Sequence, residues 1–306
     1  MGLLTTAVSL RPLLLKITQP KMLAEQQEFA NYPNGLASPT TQPSGESHFP
    51  LFVNSPARPV AGDPSETVRQ DPKPLGELQY VGPPTCHVWD IDFASINMDE
   101  TIDHVDRLID QKLGCQIITA YLNYVMLCQE NPRLVDVTRR AALTLCDGMP
   151  VLWRSKLAQE ALPERVAGAD LIYRLCERAA LRGHRVYFLG AAEGVAQAAV
   201  DRLSKRYPGL QIAGVECPPF RELSRDEHSE MCQRIRDAGT DLLFVAFGQP
   251  KGEYWIDENI TRLGGAVCIQ LGASFDFIAG NSKRAPKWLQ SLGLEWFHRM
   301  LREPKR

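Results

Sequence analysis

The sequence predicts an α/β protein: a Rossmann-like, mostly parallel sheet with helices on both faces, preceded by a disordered N-terminal tail. Three observations predict it. From about Cys86 onward, short apolar runs alternate with helical patterns at the spacing of βαβ units. The strongest run, Asp241-Leu-Leu-Phe-Val-Ala-Phe247, is apolar without alternation, as a strand covered on both faces must be. Polar, glycine-rich loops follow the runs at once, and in a parallel sheet all such loops meet at one edge, where open α/β folds bind ligands.

Composition narrows the class. The 306 residues are 44% apolar and 23% charged, with a formal net charge of -2, which gives no support for a nucleic-acid binder. The eight cysteines form no CxxC pair and no cluster with histidine, so neither a disulfide framework nor a metal site is expected, and a reducing compartment is. No run approaches the roughly 18 apolar residues of a membrane span.

In chain order, residues 1–84 hold 13 of the 22 prolines, interleaved with Ser, Thr, Gln and Asn. Such a segment buries too little apolar surface to offset its ordering entropy, and it is read as a disordered tail with a short helix near 21–30. Residues 85–306 are read as the folded domain. Val88-Trp-Asp-Ile-Asp-Phe93 alternates like an edge strand or lead-in, and Asn97 or Asp99 caps a helix through Asp110. Strands follow at Cys115–Thr119, Leu143–Cys146, Arg185–Leu189, Leu210–Val215, Asp241–Phe247 and Ala266–Gln270. Helices are expected around Val125, from Asp170 to Leu181 with Gly183 as its C-terminal stop, and over Val195–Tyr207, Asp226–Ala238 and Tyr254–Leu263.

The strand ends carry Thr119, Asp147-Gly148, Gly190–Gly194, Gly248–Glu253 and Ser274–Asp276. Asp147 is a carboxylate beside a glycine that allows close approach, suited to taking a proton from a hydroxyl; capping the next helix is its other reading. Gly190-Ala-Ala-Glu-Gly194 is a turn able to cradle phosphate, but it lacks the third glycine of a dinucleotide fingerprint. Arg165 can neutralise phosphate or pair with Glu164 or Asp170. Residues 283–306 carry seven basic and two acidic residues, with Trp288, Leu292, Trp296 and Met300 at helical spacing. That stripe reads either as core packing or as an interfacial helix against anionic lipid.

From about Ile96 to the end, the ordered set Asp147-Gly148, Glu164-Arg-Val-Ala-Gly168, Val186-Tyr-Phe-Leu-Gly-Ala191, Tyr207-Pro-Gly-Leu210, Gly248 with Pro250-Lys251 and Glu253, Gly272-Ala-Ser-Phe-Asp-Phe-Ile-Ala-Gly280, Arg284-Ala-Pro-Lys-Trp288, Gly293-Leu-Glu-Trp296, Arg299 and Glu303-Pro304 resembles the WecG/TagA/CpsF family of glycosyltransferases. The resemblance implies an inverting transfer of an N-acetylmannosamine-like or related hexose from a UDP-sugar to a polyprenyl-pyrophosphate-linked acceptor in surface-polysaccharide assembly. It implies no cofactor and no metal, and an enzyme peripheral to the cytoplasmic face of the plasma membrane; self-association is left open. It implies Asp147 as general base, with Thr119 positioning the reactants and Arg165 stabilising the diphosphate. Gly190, Gly248, Pro250, Lys251, Glu253, Gly272 and Asp276 fall to the donor, and Arg284, Trp288, Trp296 and Arg299 to membrane and acceptor. Two departures stand out. Tyr121 replaces an asparagine of a Thr-x-Asn pattern, and Gly252 replaces the glutamine of Pro-Lys-Gln-Glu, which either alters the sugar pocket or disables it. The rivals are a nucleotide-sugar binder of the same fold without turnover and a nucleotide-dependent oxidoreductase.

Overall fold

A computed structural model describes residues 81–157, 161–221, 223–282, 284–286 and 289. The expected tail up to residue 80, the short helix near 21–30, and Trp288, Trp296 and Arg299 with most of the basic stripe lie outside the described residues. The chain enters through a hairpin, β1 (Thr85–Val88) and β2 (Ile91–Ala94), paired antiparallel. A single edge strand was expected there. The hairpin turn places Trp89 and Asp90 at φ 49° and 64°, left-handed positions usually signalled by Asn or Gly, and Trp89 hides the signal.

Helix α1 (Met98–Asp110) starts at the expected Asn97 in a capping box: Asn97 Oδ1 accepts from Glu100 N–H, and Glu100 Oε2 accepts from Asn97 N–H. Then come β3 (Cys115–Ala120), α2 (Leu122–Glu130), α3 (Pro132–Arg140), β4 (Leu143–Cys146) and α4 (Met149–Ser155). The longest helix of the set, α5 (Gly168–Arg182), stops at Gly183 with φ 73°, as its glycine predicts. It is followed by β5 (Arg185–Gly190), α6 (Val195–Arg206), β6 (Gln211–Glu216), α7 (Arg225–Asp237) and β7 (Leu242–Ala246). Last come α8 (Lys251–Asn259), a 3-10 turn at Ile260–Arg262, β8 (Val267–Gln270) and α9 (Gly272–Ala279).

Six strands form one sheet in the order β4-β3-β8-β7-β5-β6, and every pairing is parallel. Both faces are covered, which explains the unbroken apolar runs. Val186 and Phe188 of β5 face α1, α5, α6 and α9, whereas Tyr187 and Leu189 face α7 and α8. Ile118, Ala120 and Cys146 bury against the hairpin, α2, α3 and α4. Phe275 of α9 meets Phe188 at 5.4 Å between ring centroids, and Phe188 meets Phe244 at the same distance, edge-on. Each such pair adds about 1 kcal/mol beyond its buried area and holds α9 to the sheet. On the outside, Asp99, Asp103 with Asp106, and Asp110 of α1 pair with Arg174, Arg178 and Arg182 of α5.

Because all strands run one way, the residues after β3, β4, β5, β7 and β8 share one edge. The chain leaves β5 outward to β6 but leaves its neighbour β7 toward β8. Connections that diverge from adjacent strands open a crevice between their carboxyl ends.

Candidate active site

One half of this edge, at β3 and β4, carries the candidate catalytic residues. Asp147 follows β4 directly, and its backbone N–H donates to Ala120 O at 3.1 Å, tying it to the end of β3. The chain returns past it, since Val166 N–H donates to Cys146 O at 2.8 Å, and α5 begins at Gly168. Gly168 N–H donates to Asp147 Oδ2 at 3.1 Å, which orients the carboxylate. A Cβ placed on Gly168 would sit 3.3 Å from both Asp147 Oδ2 and Thr119 Oγ1 and 2.9 Å from Leu271 Cδ2. The carboxylate and the hydroxyl therefore converge on one point, and only glycine leaves that point open. Gly148 is needed for a similar reason: its Cβ would lie 3.3 Å from Tyr121 Cα. Thus the helix that Asp147 serves is α5, rather than α4, which follows it in sequence.

Arg165 is half-buried one residue before the Val166 tie to β4. The two acids weighed as its partners are engaged elsewhere: Glu164 accepts from Met98 N–H at 2.5 Å, and Asp170 accepts from Arg284 at 2.5 and 3.3 Å. Arg284 is thereby fixed on the first turn of α5, close behind Asp147, and its guanidinium also lies 6.0 Å from the Phe277 ring.

The other half lies at β5, β7 and β8. Gly190 has φ 100°, and a Cβ there would press on Ala246 O at 2.8 Å and on the Phe247 ring at 2.9 Å. Gly194 and Gly248, at φ 77° and 80°, face open space. The Gln249–Pro250 bond is cis, and Gln249 Nε2 donates to Thr119 O at 3.4 Å, joining this half to the one at β3 and β4. Lys251 is exposed at the start of α8, and Asp276 is half-buried one turn into α9, whose first residue, Gly272, lies beside Gly248. The Gly248–Glu253 stretch was expected as a loop with a helix from Tyr254, but α8 already starts at Lys251. The segment Gly272–Asp276, expected as a strand exit, is likewise helical.

Glu253 is buried, at 1% exposure, and neither carboxyl oxygen makes a well-aligned hydrogen bond among the described residues. Burial pushes its carboxyl up to about 7, although its own backbone N–H and the Gln249 side chain favour the charged form. It is thus a neutral or half-charged acid behind the Gly248 turn. A residue at 252 larger than glycine would overlap Gln270 Oε1, so the departure at Gly252 leaves no void: Gln270 fills it.

One regularity was not foreseen. The helices α1, α3 and α7 begin with side-chain caps from Asn97, Asn131 and Ser224. Of the helices that start at the carboxyl edge, α7, which follows β6 at the outer end, is the capped exception, whereas α2, α4, α5, α6, α8 and α9 have none at their N-cap residues. Their first amides are left for other partners, and such amides favour anions. The edge is an open shelf. A depression of about 290 Å³ lined by Glu216, Cys217, Leu223, Glu227 and Arg234 lies at the far strand β6, away from Asp147. On the α4 side of the edge, Trp153 and Leu157 are exposed, with Arg154 and Lys156 between them in sequence.

With this geometry in view, the sequence matches the glycosyl transferase WecG/TagA/CpsF family over residues 86–306. The chain belongs to that family. Among its relatives are N-acetylglucosaminyldiphosphoundecaprenol N-acetyl-beta-D-mannosaminyltransferases. That of Bacillus spizizenii is 33% identical over 217 residues, 71% of this chain and 82% of the relative. The Bacillus subtilis enzyme is 32% identical over 220 residues, covering 72% and 84%, and one from Staphylococcus aureus is 27% identical over 218 residues, covering 71% and 84%. Among the described residues, no helix is long and apolar enough to cross a membrane.

Proposed function

We propose that this glycosyltransferase moves an N-acetylmannosamine-like sugar to a polyprenyl-diphosphate-linked acceptor, as the names of its relatives indicate for them, and that the donor is a UDP-sugar. One observation carries the mechanism: Asp147, oriented by Gly168 N–H and flanked by the Thr119 hydroxyl, shares its edge with the uncapped starts of α6, α8 and α9. Asp147 takes the proton from the acceptor hydroxyl as the hydroxyl oxygen attacks the anomeric carbon from the face opposite the leaving group. The bond from that carbon to the diphosphate oxygen breaks, and UDP departs with the electron pair. Configuration inverts. The charge developing on the diphosphate meets helix amides and Arg165, groups already aimed before the reaction.

The donor lies over the turns at Gly190 and Gly248, with Gly272 beside Gly248 on the side toward Asp147, and the acceptor approaches from the Asp147 side. The exposed Trp153 and Leu157 with Arg154 and Lys156 support an approach from a membrane surface, whereas Arg284, expected there, is mostly buried in its pair with Asp170. The enzyme works at the inner face of the plasma membrane, peripheral to it, with the residues beyond 286 extending the contact. The test is a donor screen with polyprenyl-diphosphate-linked N-acetylglucosamine as acceptor. UDP release with a heavier lipid product supports the reading; UDP binding without lipid product under any donor overturns it.

A further inference from the structure

Gln270 ends β8, the strand between the Asp147 half of the edge and the Gly248 turn. The residue is only 3% exposed, and an apolar residue of the same size would be the cheaper choice at the end of a fully covered strand. The two ends of its amide differ. Oε1 accepts from Phe247 N–H at 3.3 Å, which fixes which end is oxygen. Nε2 has no hydrogen-bond partner among the described residues, and it lies 3.2 Å from where a Cβ on Gly272 would be. That same point is 3.8 Å from Gly248 Cα. The rest of the side chain is packed inside, whereas Nε2 is not sealed from solvent and is left able to donate to an acceptor.

The surrounding residues are cut back to admit it. Gly252 is glycine where any side chain would overlap the Gln270 amide, Gly272 abuts the amide nitrogen, and Gly248 faces open space. Gly252 makes room for the amide itself, and Gly248 and Gly272 leave its nitrogen side open to an oxygen-bearing ligand. We propose that Gln270 is a donor-contact residue, its Nε2 donating a hydrogen bond to an oxygen of the sugar-diphosphate portion of the nucleotide-sugar. The inference rests on the donor site argued above and adds the residue that reads it. It also explains how a chain with glycine at 252 keeps an amide in that place: the amide arrives from β8 instead of α8.

The experiment measures UDP-sugar and UDP affinity by calorimetry on the full chain, with thermal unfolding alongside. Gln270→Met keeps the volume and loses the N–H together with the Oε1 that accepts from Phe247. It is expected to weaken UDP-sugar binding about fivefold, the worth of one neutral hydrogen bond, with a small loss of Tm from the vacated Phe247 N–H. Unchanged affinity overturns the proposal. If Gln270→Met lowers Tm by more than that, the double variant Gly252→Gln with Gln270→Gly decides. Binding recovered from the relocated amide supports the contact, and a restored Tm without binding overturns it. If the parent chain binds neither UDP nor any UDP-sugar, the donor site itself falls, and this inference with it.

Discussion

Replacing Glu253 by glutamine tests the most unusual group in the structure. The carboxyl is 1% exposed, and burial holds it near 7 against an ordinary 4.5. The sign follows from which state holds the proton. Between pH 4.5 and 7 the unfolded chain has released it while the folded chain keeps it, so stability is full below about 4.5 and is lost as pH rises through about 7. At about 1.4 kcal/mol per tenfold change in proton affinity, the loss is about 3 kcal/mol by pH 8. The amide that replaces the carboxyl in the variant cannot titrate. The stability difference between Glu253→Gln and the parent should therefore grow in the variant's favour by about 3 kcal/mol from pH 4.5 to 8, or roughly 6–12 °C in Tm for a domain of this size. Denaturant or thermal unfolding of both proteins at five pH values reads it directly. A difference that stays constant across that range refutes the buried neutral acid, whatever the absolute stabilities. Because Glu253 lies in the first turn of α8, donor affinity should also decline above pH 7 in the parent and hold in the variant.

Three further outcomes are expected. Asp147→Asn keeps an oxygen to accept from Gly168 N–H, so UDP affinity and Tm should stay near the parent while turnover falls about 10²–10⁴-fold; turnover within a few-fold refutes the general base. None of the eight cysteines forms a disulfide, and Cys217 alone is exposed, its Sγ donating to Ala191 O at 3.1 Å beside the Gly190 turn. A maleimide should thus modify one thiol quickly, and UDP should slow that reaction several-fold; protection by UDP at no cysteine counts against a donor on this turn. Trp153→Ser with Leu157→Ser should reduce co-sedimentation with anionic vesicles without lowering Tm, and unchanged sedimentation removes the α4 surface from the membrane contact.

What could be read from the chain alone follows the range of the physics involved. The alternation of strands and helices was legible because burial on both faces of a parallel sheet writes itself as continuous apolar runs, as at Asp241–Phe247. The gathering of Thr119, Asp147, Gly190, Gly248 and Gly272 at one edge then followed from strand direction. The hairpin turn at Trp89-Asp90 was not legible, since neither residue is a glycine. Helix α3 was missed although Pro132 stands in its first turn, and α4 was expected only as the helix after Asp147, without bounds, because each is too short for a clear period. Helix α9 is apolar nearly throughout and looks like a strand exit until Phe275 is seen against Phe188. Gly252 was the sharpest limit. As a departure from its family it looked like a loss, and only the contact with Gln270, 18 positions away, shows the space already filled.

The uncapped helix starts and the Asp147–Gly168 hydrogen bond belong to one economy of backbone amides. Where a helix begins away from the edge, Asn97 or Asn131 satisfies its first donors, and Ser224 does so at the outer end of the edge after β6, an arrangement worth about 1 kcal/mol each time. Along the rest of the edge the cap residues are Tyr121, Gly148, Ala167, Gly194, Pro250 and Leu271, which forgo that stabilisation. One of these helices recovers part of it from Asp147, which dedicates a carboxylate oxygen to α5. That dedication is useful for a base. The oxygen engaged with Gly168 cannot swing away, so the carboxylate keeps one aim toward the point it shares with the Thr119 hydroxyl. The helices left without a recovery, α6 and α8 foremost, are those flanking the crevice between β5 and β7. Their deficit is made good when a diphosphate arrives, and its binding should therefore raise Tm.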